Sequence, residues 1–331
     1  MIELNVIYKQ ENITQMNSIV IPNKQDVIDA RALIEPYIHN TPVMSSSSIN
    51  EIYGVELYLK CDNFQKMGAF KMRGAAHAIL KLSDEAREKG VTTHSSGNFA
   101  QALSLAARSL GVKATIVMPT SAPKIKKTAV LGYGASVIDC DPTLQAREEA
   151  ANKVVRETGA TFIHPSNDMD VILGNSSSAL ELVEEMPQLD AVFAPIGGGG
   201  LIAGTCLSCH YFGEIPVYGG EPAGADDAYH SLKAGRIIPP ENPQTIADGL
   251  RTQLGDQNFP ILQKHLKEIF LVEEEEIVEY MRLIWERMKI IIEPSCAVPI
   301  AAVLKNKERF KGQKVGVIIS GGNVDLNALP F

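Results

Sequence analysis

Apolar, β-branched runs alternate with longer segments of helical period along almost all of this 331-residue chain, and that alternation constrains the fold most. The runs Val55–Lys60, Val91–His94, Ala114–Met118, Ser136–Asp139, Ala191–Pro195, Val217–Gly220, Ile269–Val272 and Val315–Ile319 are expected strands. Between and around them, Asp26–Tyr37, Lys71–Leu82, Phe99–Leu110, Lys124–Leu131, Leu144–Thr158, Ser178–Glu185, Leu201–Tyr211, Glu275–Lys289 and Val298–Lys305 are expected helices. A strand that hands over to a helix and then to another strand crosses over, so its strands pair in parallel beneath helices. An α/β architecture with mainly parallel, twisted sheets follows. Ligands of such folds gather at the carboxyl ends of strands, so the loops after strands are where chemistry is sought.

Composition narrows the partners. The chain is 45% hydrophobic, enough for a large core, and its formal charge is −8. That charge, with no basic cluster to offset it, excludes non-specific attraction to nucleic acid or anionic membranes. No stretch approaches the roughly 20 apolar residues of a membrane helix. The N-terminal MIELNVIYKQENITQMNSIV lacks an apolar h-region, so a signal peptide is not expected; residues 1–20 read as a loosely packed extension. The five cysteines (Cys61, Cys140, Cys206, Cys209 and Cys296) form an odd, scattered set, expected as reduced thiols in a cytoplasmic protein. Cys206, Cys209 and His210 spell a haem-attachment string, but the surrounding Leu201–Tyr211 reads as a buried helix. The acidic run Glu273–Glu276 suits a solvated helix N-terminus.

Four loops carry chemistry. Gly197-Gly198-Gly199-Gly200 joins an expected strand to an expected helix, and successive glycines let backbone N–H groups converge on one concavity. A phosphate is its natural guest; a dinucleotide site fits less well, for want of a plain G-x-G-x-x-G. Ser95-Ser96-Gly97-Asn98 offers hydroxyls, a carboxamide and helix N-terminal amides, which suit a carboxylate or simply cap a helix. Lys71 stands among Phe70, Met72 and Ala75, where desolvation makes an amine nucleophilic, although most lysines are surface residues. Lys66 and Arg73 read as surface or phosphate-side residues. Ser320-Gly321-Gly322 ends the last expected strand and can reach a heterocycle nitrogen, or be only a turn.

Taken in order, GAFK, HSSGNFAQAL, GGGGL, GGEPAGADDAYHSLKAG, TIADGLRTQLG, WERMKIIIEPSCA and IISGGNVDL resemble the fold-type II pyridoxal 5'-phosphate (PLP) enzymes. Within them the chain is similar to the serine racemase and serine/threonine dehydratase branch, which includes hydroxyaspartate ammonia-lyases, over roughly residues 25–327. The resemblance implies a tryptophan synthase β-like fold of two α/β domains: a large one from residues 1–84 and 166–331, and a small, mobile, inserted one from residues 85–165. It implies PLP joined covalently to Lys71, its phosphate cradled by Gly197, Gly198, Gly199 and Gly200. Phe70, Gly249 and Glu293 would lie beside the ring, Asn98 at its hydroxyl and Ser320 at its nitrogen. Ser95, Ser96, Gly97 and Asn98 would surround the substrate carboxylate, with Arg147 also in substrate recognition and Ser96 facing the α-carbon opposite Lys71. Glu221, the Ala225 carbonyl and Asp227 match a divalent-cation site, expected to take Mg²⁺, or Ca²⁺ or Mn²⁺; two acids, a carbonyl and waters suit such hard cations.

The activity implied is dehydration of a small β-hydroxy amino acid (L-serine, L-threonine or 3-hydroxyaspartate) to a 2-oxo acid and ammonia, by a homodimer. Serine racemisation is the nearest alternative, β-replacement with sulfide a weaker one, and PLP binding without turnover belongs to a different class. The sequence departs from the family at Ala69, at Phe99 and at Gly174-Asn175-Ser176-Ser177, which bears on substrate choice. Only a short tail follows the last expected strand, so the regulatory domain of biosynthetic threonine dehydratases is not expected.

Overall fold

The structure, a computed structural model, describes residues 19–122 and 124–331; residues 1–18, most of the expected loose extension, lie outside it. Its strands in chain order are β1 Val43–Met44, β2 Glu56–Cys61, β3 Val91–His94, β4 Ala114–Pro119, β5 Ser136–Cys140, β6 Thr161–Phe162, β7 Ala191–Pro195, β8 Val217–Pro222, β9 Leu266–Val272 and β10 Lys314–Ile319. They form two sheets. One has six strands in the order β1-β2-β10-β7-β8-β9, the other four in the order β5-β4-β3-β6. Every pairing is parallel except β1 with β2. The eight expected strands are all present, and the parallel α/β architecture is the observed one.

The six-stranded sheet is covered on both faces, as parallel strands require. Helices Glu274–Met288 and Pro294–Lys305 pack on one side with Phe193, Val315 and Val317. Helices Met169–Glu185 and Gly200–Gly213 pack on the other with Val192, Ala194 and Ile318. Helix Lys71–Lys81 lies between the sheets and shares a core with Asn98–Ser109 from the smaller one. Sequence signals set many helix ends. Asn23 caps Lys24–Ile34 in a reciprocal capping box with Asp26, and Glu273 does the same with Glu276 before Glu274–Met288.

Helix Met169–Glu185 begins nine residues before the expected Ser178 start, so Ser176–Ser178 lies inside a buried helix. Small residues are needed there. A Cβ on Gly174 would lie 2.5 Å from the Arg73 carbonyl oxygen, and one on Gly204 would lie 2.7 Å from the Ile172 carbonyl oxygen. Three helices are thus stacked at nearly backbone contact.

Arg73 corrects a second expectation. It is not a surface residue but fully buried, donating to both oxygens of Asp62 at 2.9 and 2.8 Å and both of Glu181 at 2.8 Å. Lys60 and Arg31 join Glu181 at 2.8 and 3.0 Å. Bidentate geometry on both carboxylates is what allows these charges to be buried.

Candidate active site

Lys71 is the first residue of its helix, delivered there by a tight path from β2. The path passes Met67 at φ 58° and Gly68 at φ 77°, then a bridge from Ala69 to Gly321. The Phe70 N–H donates to the Ser320 carbonyl at 2.9 Å, so the residue before Lys71 is pinned to the end of β10. The Lys71 amine donates to the Pro165 carbonyl at 2.7 Å and lies 4.9 and 5.6 Å from the ring centres of Phe70 and Phe99. Desolvation lowers it to about 8, against an opposing pull from Glu293. A lysine so placed is a usable nucleophile and base near neutral pH.

The tetraglycine turn follows β7 and opens helix Gly200–Gly213, with Gly199 at φ 81°. No side chain fits there. A Cβ would meet Leu250 at 2.8 Å from Gly197, the Ser166 hydroxyl at 2.4 Å from Gly198, Asn258 at 2.5 Å from Gly199 and the Ser166 backbone at 2.9 Å from Gly200. Asn258 fastens the turn by donating to the Gly198 carbonyl at 2.9 Å and the Ser166 carbonyl at 3.2 Å. Backbone amides at a helix N-terminus, in a hollow that any Cβ would fill, fit the phosphate of the implied cofactor.

Opposite the amine, the two sheets meet. Asn98 opens helix Asn98–Ser109 after β3, and its amide donates to both oxygens of Glu293 at 3.1 and 3.0 Å. Asn323 donates to Asn98 and to the Met67 carbonyl, both at 3.0 Å. Burial pushes Glu293 up to about 7, the Asn98 bond opposing it. Ser320, 2% exposed, ends β10, and its hydroxyl lies 3.3 Å from the Cys296 sulfur. A Cβ on Gly249 would lie 3.1 Å from the Ser295 hydroxyl, and one on Gly197 would lie 3.0 Å from the Gly249 carbonyl oxygen.

The structure therefore brings Phe70, Lys71, Asn98, Gly197–Gly200, Gly249, Glu293 and Ser320 into one neighbourhood. Ser95, Ser96 and Gly97 form the partly exposed turn before helix Asn98–Ser109, with the Gly97 N–H donating to the Ser95 hydroxyl at 3.3 Å. Arg147 sits on helix Leu144–Thr158 and donates to the Thr143 carbonyl at 3.4 Å; burial, and then the Arg147 charge, lower His94, the residue before Ser95. Reading the sequence alone missed Pro165, Ser166 and Asn258; Asn323 lay in the quoted IISGGNVDL segment with no role assigned to it. The first acts through its carbonyl, and the others sit in loops whose only signal was a position after a strand or helix end.

The expected cation set lies apart, at the end of β8 (Glu221) and in the turn and helix start that follow it (Ala225 and Asp227). Glu221, 1% exposed, accepts the N–H groups of Ala228 and Tyr229, both at 2.8 Å. Burial, with Asp227 nearby, pushes it up to about 9; burial, with Asp226, pushes Asp227 to about 7. Oδ2 of Asp227 is buried without a partner. Two desolvated carboxylates and an orphaned oxygen fit a bound cation. No cluster of three or more His, Cys, Asp or Glu side chains suited to a metal occurs among the described residues, so a carbonyl and waters would complete the shell.

Comparison with known proteins agrees with this chemistry. Residues 34–321 match the family described as pyridoxal-phosphate dependent enzyme. The chain is 49% identical to the beta-hydroxyaspartate dehydratase of Paracoccus denitrificans, over 94% of its own length and 99% of that protein's. It is 44% identical to the L-threo-3-hydroxyaspartate ammonia-lyase of Saccharomyces cerevisiae, over 93% and 95%. The crystal structure of serine racemase from Dictyostelium discoideum superposes with a TM-score of 0.89 at 48% identity, covering 93% of this chain and 100% of that one.

Proposed function

Because this chain belongs to the pyridoxal-phosphate dependent enzyme family, we propose that it converts a small β-hydroxy amino acid into a 2-oxo acid and ammonia. L-Serine, L-threonine and 3-hydroxyaspartate are the substrates considered, and the names of the relatives support the last. The observation that carries the reading is the Lys71 amine, desolvated to about 8 and held 2.7 Å from the Pro165 carbonyl.

When bound, PLP supplies an electron sink for charge left at the substrate α-carbon. The residues do the rest. Lys71 would hold the cofactor, and its amine, when free, would take the α-proton of the substrate. The Ser95–Asn98 turn orients the substrate carboxylate with hydroxyls and helix N-terminal amides, aided by Arg147. Gly197–Gly200 would hold the phosphate, and Phe70, Gly249 and Glu293 would confine the ring. Ser320 would offer the ring nitrogen a neutral hydroxyl rather than an acid, a setting suited to expulsion of the β-hydroxyl more than to transamination.

Glu221, the Ala225 carbonyl and Asp227 are read as ligands of Mg²⁺, or of Ca²⁺ or Mn²⁺. Added Mg²⁺ should then raise the melting temperature of the wild type and leave Asp227→Asn unchanged. Residues 85–165, which carry the four-stranded sheet, are read as a small domain that moves against the rest. All five cysteines are free thiols, which fits a reducing compartment such as the cytoplasm, and the resemblance supports a homodimer. No helix among the described residues is long and apolar enough to cross a membrane.

A substrate panel tests the function: 2-oxo acid and ammonia should appear from at least one of the three candidates. A coloured, PLP-loaded protein that releases no product from any of them would overturn it. Racemisation is the second reading, favoured by the serine racemase superposition. There Ser96 would protonate the α-carbon opposite Lys71. Ser96→Ala should abolish D-serine formation and keep elimination from the L-substrate; equal loss of both would reject that division.

A further inference from the structure

Cys296 stands directly behind Ser320, and no side of it reaches solvent. Its sulfur donates to the Gly321 carbonyl at 2.9 Å, accepts the Gly321 N–H at 3.0 Å and lies 3.3 Å from the Ser320 hydroxyl oxygen. Burial, reinforced by the Glu293 carboxylate, pushes the thiol far above its usual range, so it keeps its proton. A thiol has one proton, and the close carbonyl takes it. Toward Ser320 the sulfur can then only accept.

We infer that Cys296 is a positioning residue that fixes the Ser320 oxygen and acts as the weak, alternative acceptor for its proton. The inference rests on the reading that PLP binds here with its ring nitrogen at Ser320. The serine hydroxyl has one proton and two claimants: the sulfur behind it and the ring nitrogen in front. Sulfur is a poor acceptor, so the proton goes forward when the ring arrives and back when it leaves. The orphan state of an unliganded Ser320 hydroxyl, costly in a buried site, is thereby avoided without locking the proton away. Oxygen in place of sulfur would compete far better for the same proton, and a methyl group would not compete at all.

The test uses purified protein loaded with PLP labelled with ¹⁵N at the ring nitrogen, read by nitrogen NMR, together with PLP affinity of the apoprotein. Cys296→Ser should move the ring ¹⁵N resonance toward that of unbonded pyridine and weaken affinity about fivefold, the scale of one net hydrogen bond. Cys296→Ala should move the resonance the opposite way, toward stronger hydrogen bonding. Ser320→Ala supplies the unbonded reference. Unchanged resonances in both variants, or shifts of the same sign, would overturn the inference; if one variant fails to fold, the sign in the other decides. A wild type that takes up no PLP would instead overturn the functional reading beneath it.

Discussion

The side-chain amide of Asn98, on the four-stranded unit, donates to both carboxylate oxygens of Glu293, on the six-stranded unit. This bond spans the seam between the two sheets and lies beside the Lys71 amine. It couples the electrostatics of the site to how the two sheets meet.

Glu293 should therefore leave a pH signature on stability. Its folded value, about 7, stands above the roughly 4.3 of a free carboxyl. For a raised group the stabilising contribution is fully present below the unfolded value and is lost as pH rises through the folded one. Glu293→Gln does not titrate, so the apoprotein of this variant should gain on the wild type between pH 5 and pH 8, by on the order of 2 kcal/mol. Thermal melts at the two pH values measure it, and a pH-independent difference would refute it.

Lys71 makes a kinetic prediction. Only the neutral amine attacks an aldehyde, and at about 8 the neutral fraction rises about tenfold from pH 7 to pH 9 and then levels off. Stopped-flow capture of PLP by the apoprotein should follow that curve. A rate still climbing steeply at pH 10 would mean an ordinary lysine.

Gly198→Ala places a methyl group 2.4 Å from the Ser166 hydroxyl. Overpacking of this kind costs about 1–3 kcal/mol, so affinity for PLP should fall about tenfold or more. Ser166→Gly in the same chain should recover part of the loss. Absence of rescue would show that Ser166 does not set the shape of the hollow.

Arg73→Met removes the one guanidinium that satisfies Asp62 and shares Glu181. Breaking a buried ion network by deleting one partner costs about 3–5 kcal/mol, and urea unfolding of the apoprotein should register it. A loss below about 1 kcal/mol would mean that Lys60 and Arg31 take over.

The fold was legible where periodicity was strong. All eight strand segments read from the sequence appear. Strands β4, β7, β8 and β10 are buried along almost their whole length and read as continuous apolar runs. By contrast, β5 and β9 are largely exposed or half-buried and were marked by their β-branched residues. Two-residue β1 and β6, and short helices such as Ser47–Tyr53 and Phe259–His265, carry too few residues to show a period. The start of Met169–Glu185 was hidden for another reason: Gly174, Asn175 and Ser176 are weak helix formers, chosen for close packing against Gly74 and Gly204. In the site, the tetraglycine turn announced itself through composition, and Lys71 was singled out by the resemblance that GAFK carries. Pro165, Ser166 and Asn258 carried no such signal, since what matters is a carbonyl, a hydroxyl beneath a glycine and a bridge between two loops. Arg73 was misread because its partners, Asp62 and Glu181, are distant in sequence and neighbours only in the folded molecule.

The position of β10 between β2 and β7 has a consequence for folding. β10 follows every other described strand of the larger sheet in the chain, so the middle of that sheet stays open until β10 docks. Until then β2 and β7 each present a bare edge, a state prone to aggregation. Ser320 arrives with that strand, so the neighbourhood of Lys71, Glu293 and Ser320 closes only once β10 is seated between its two partners.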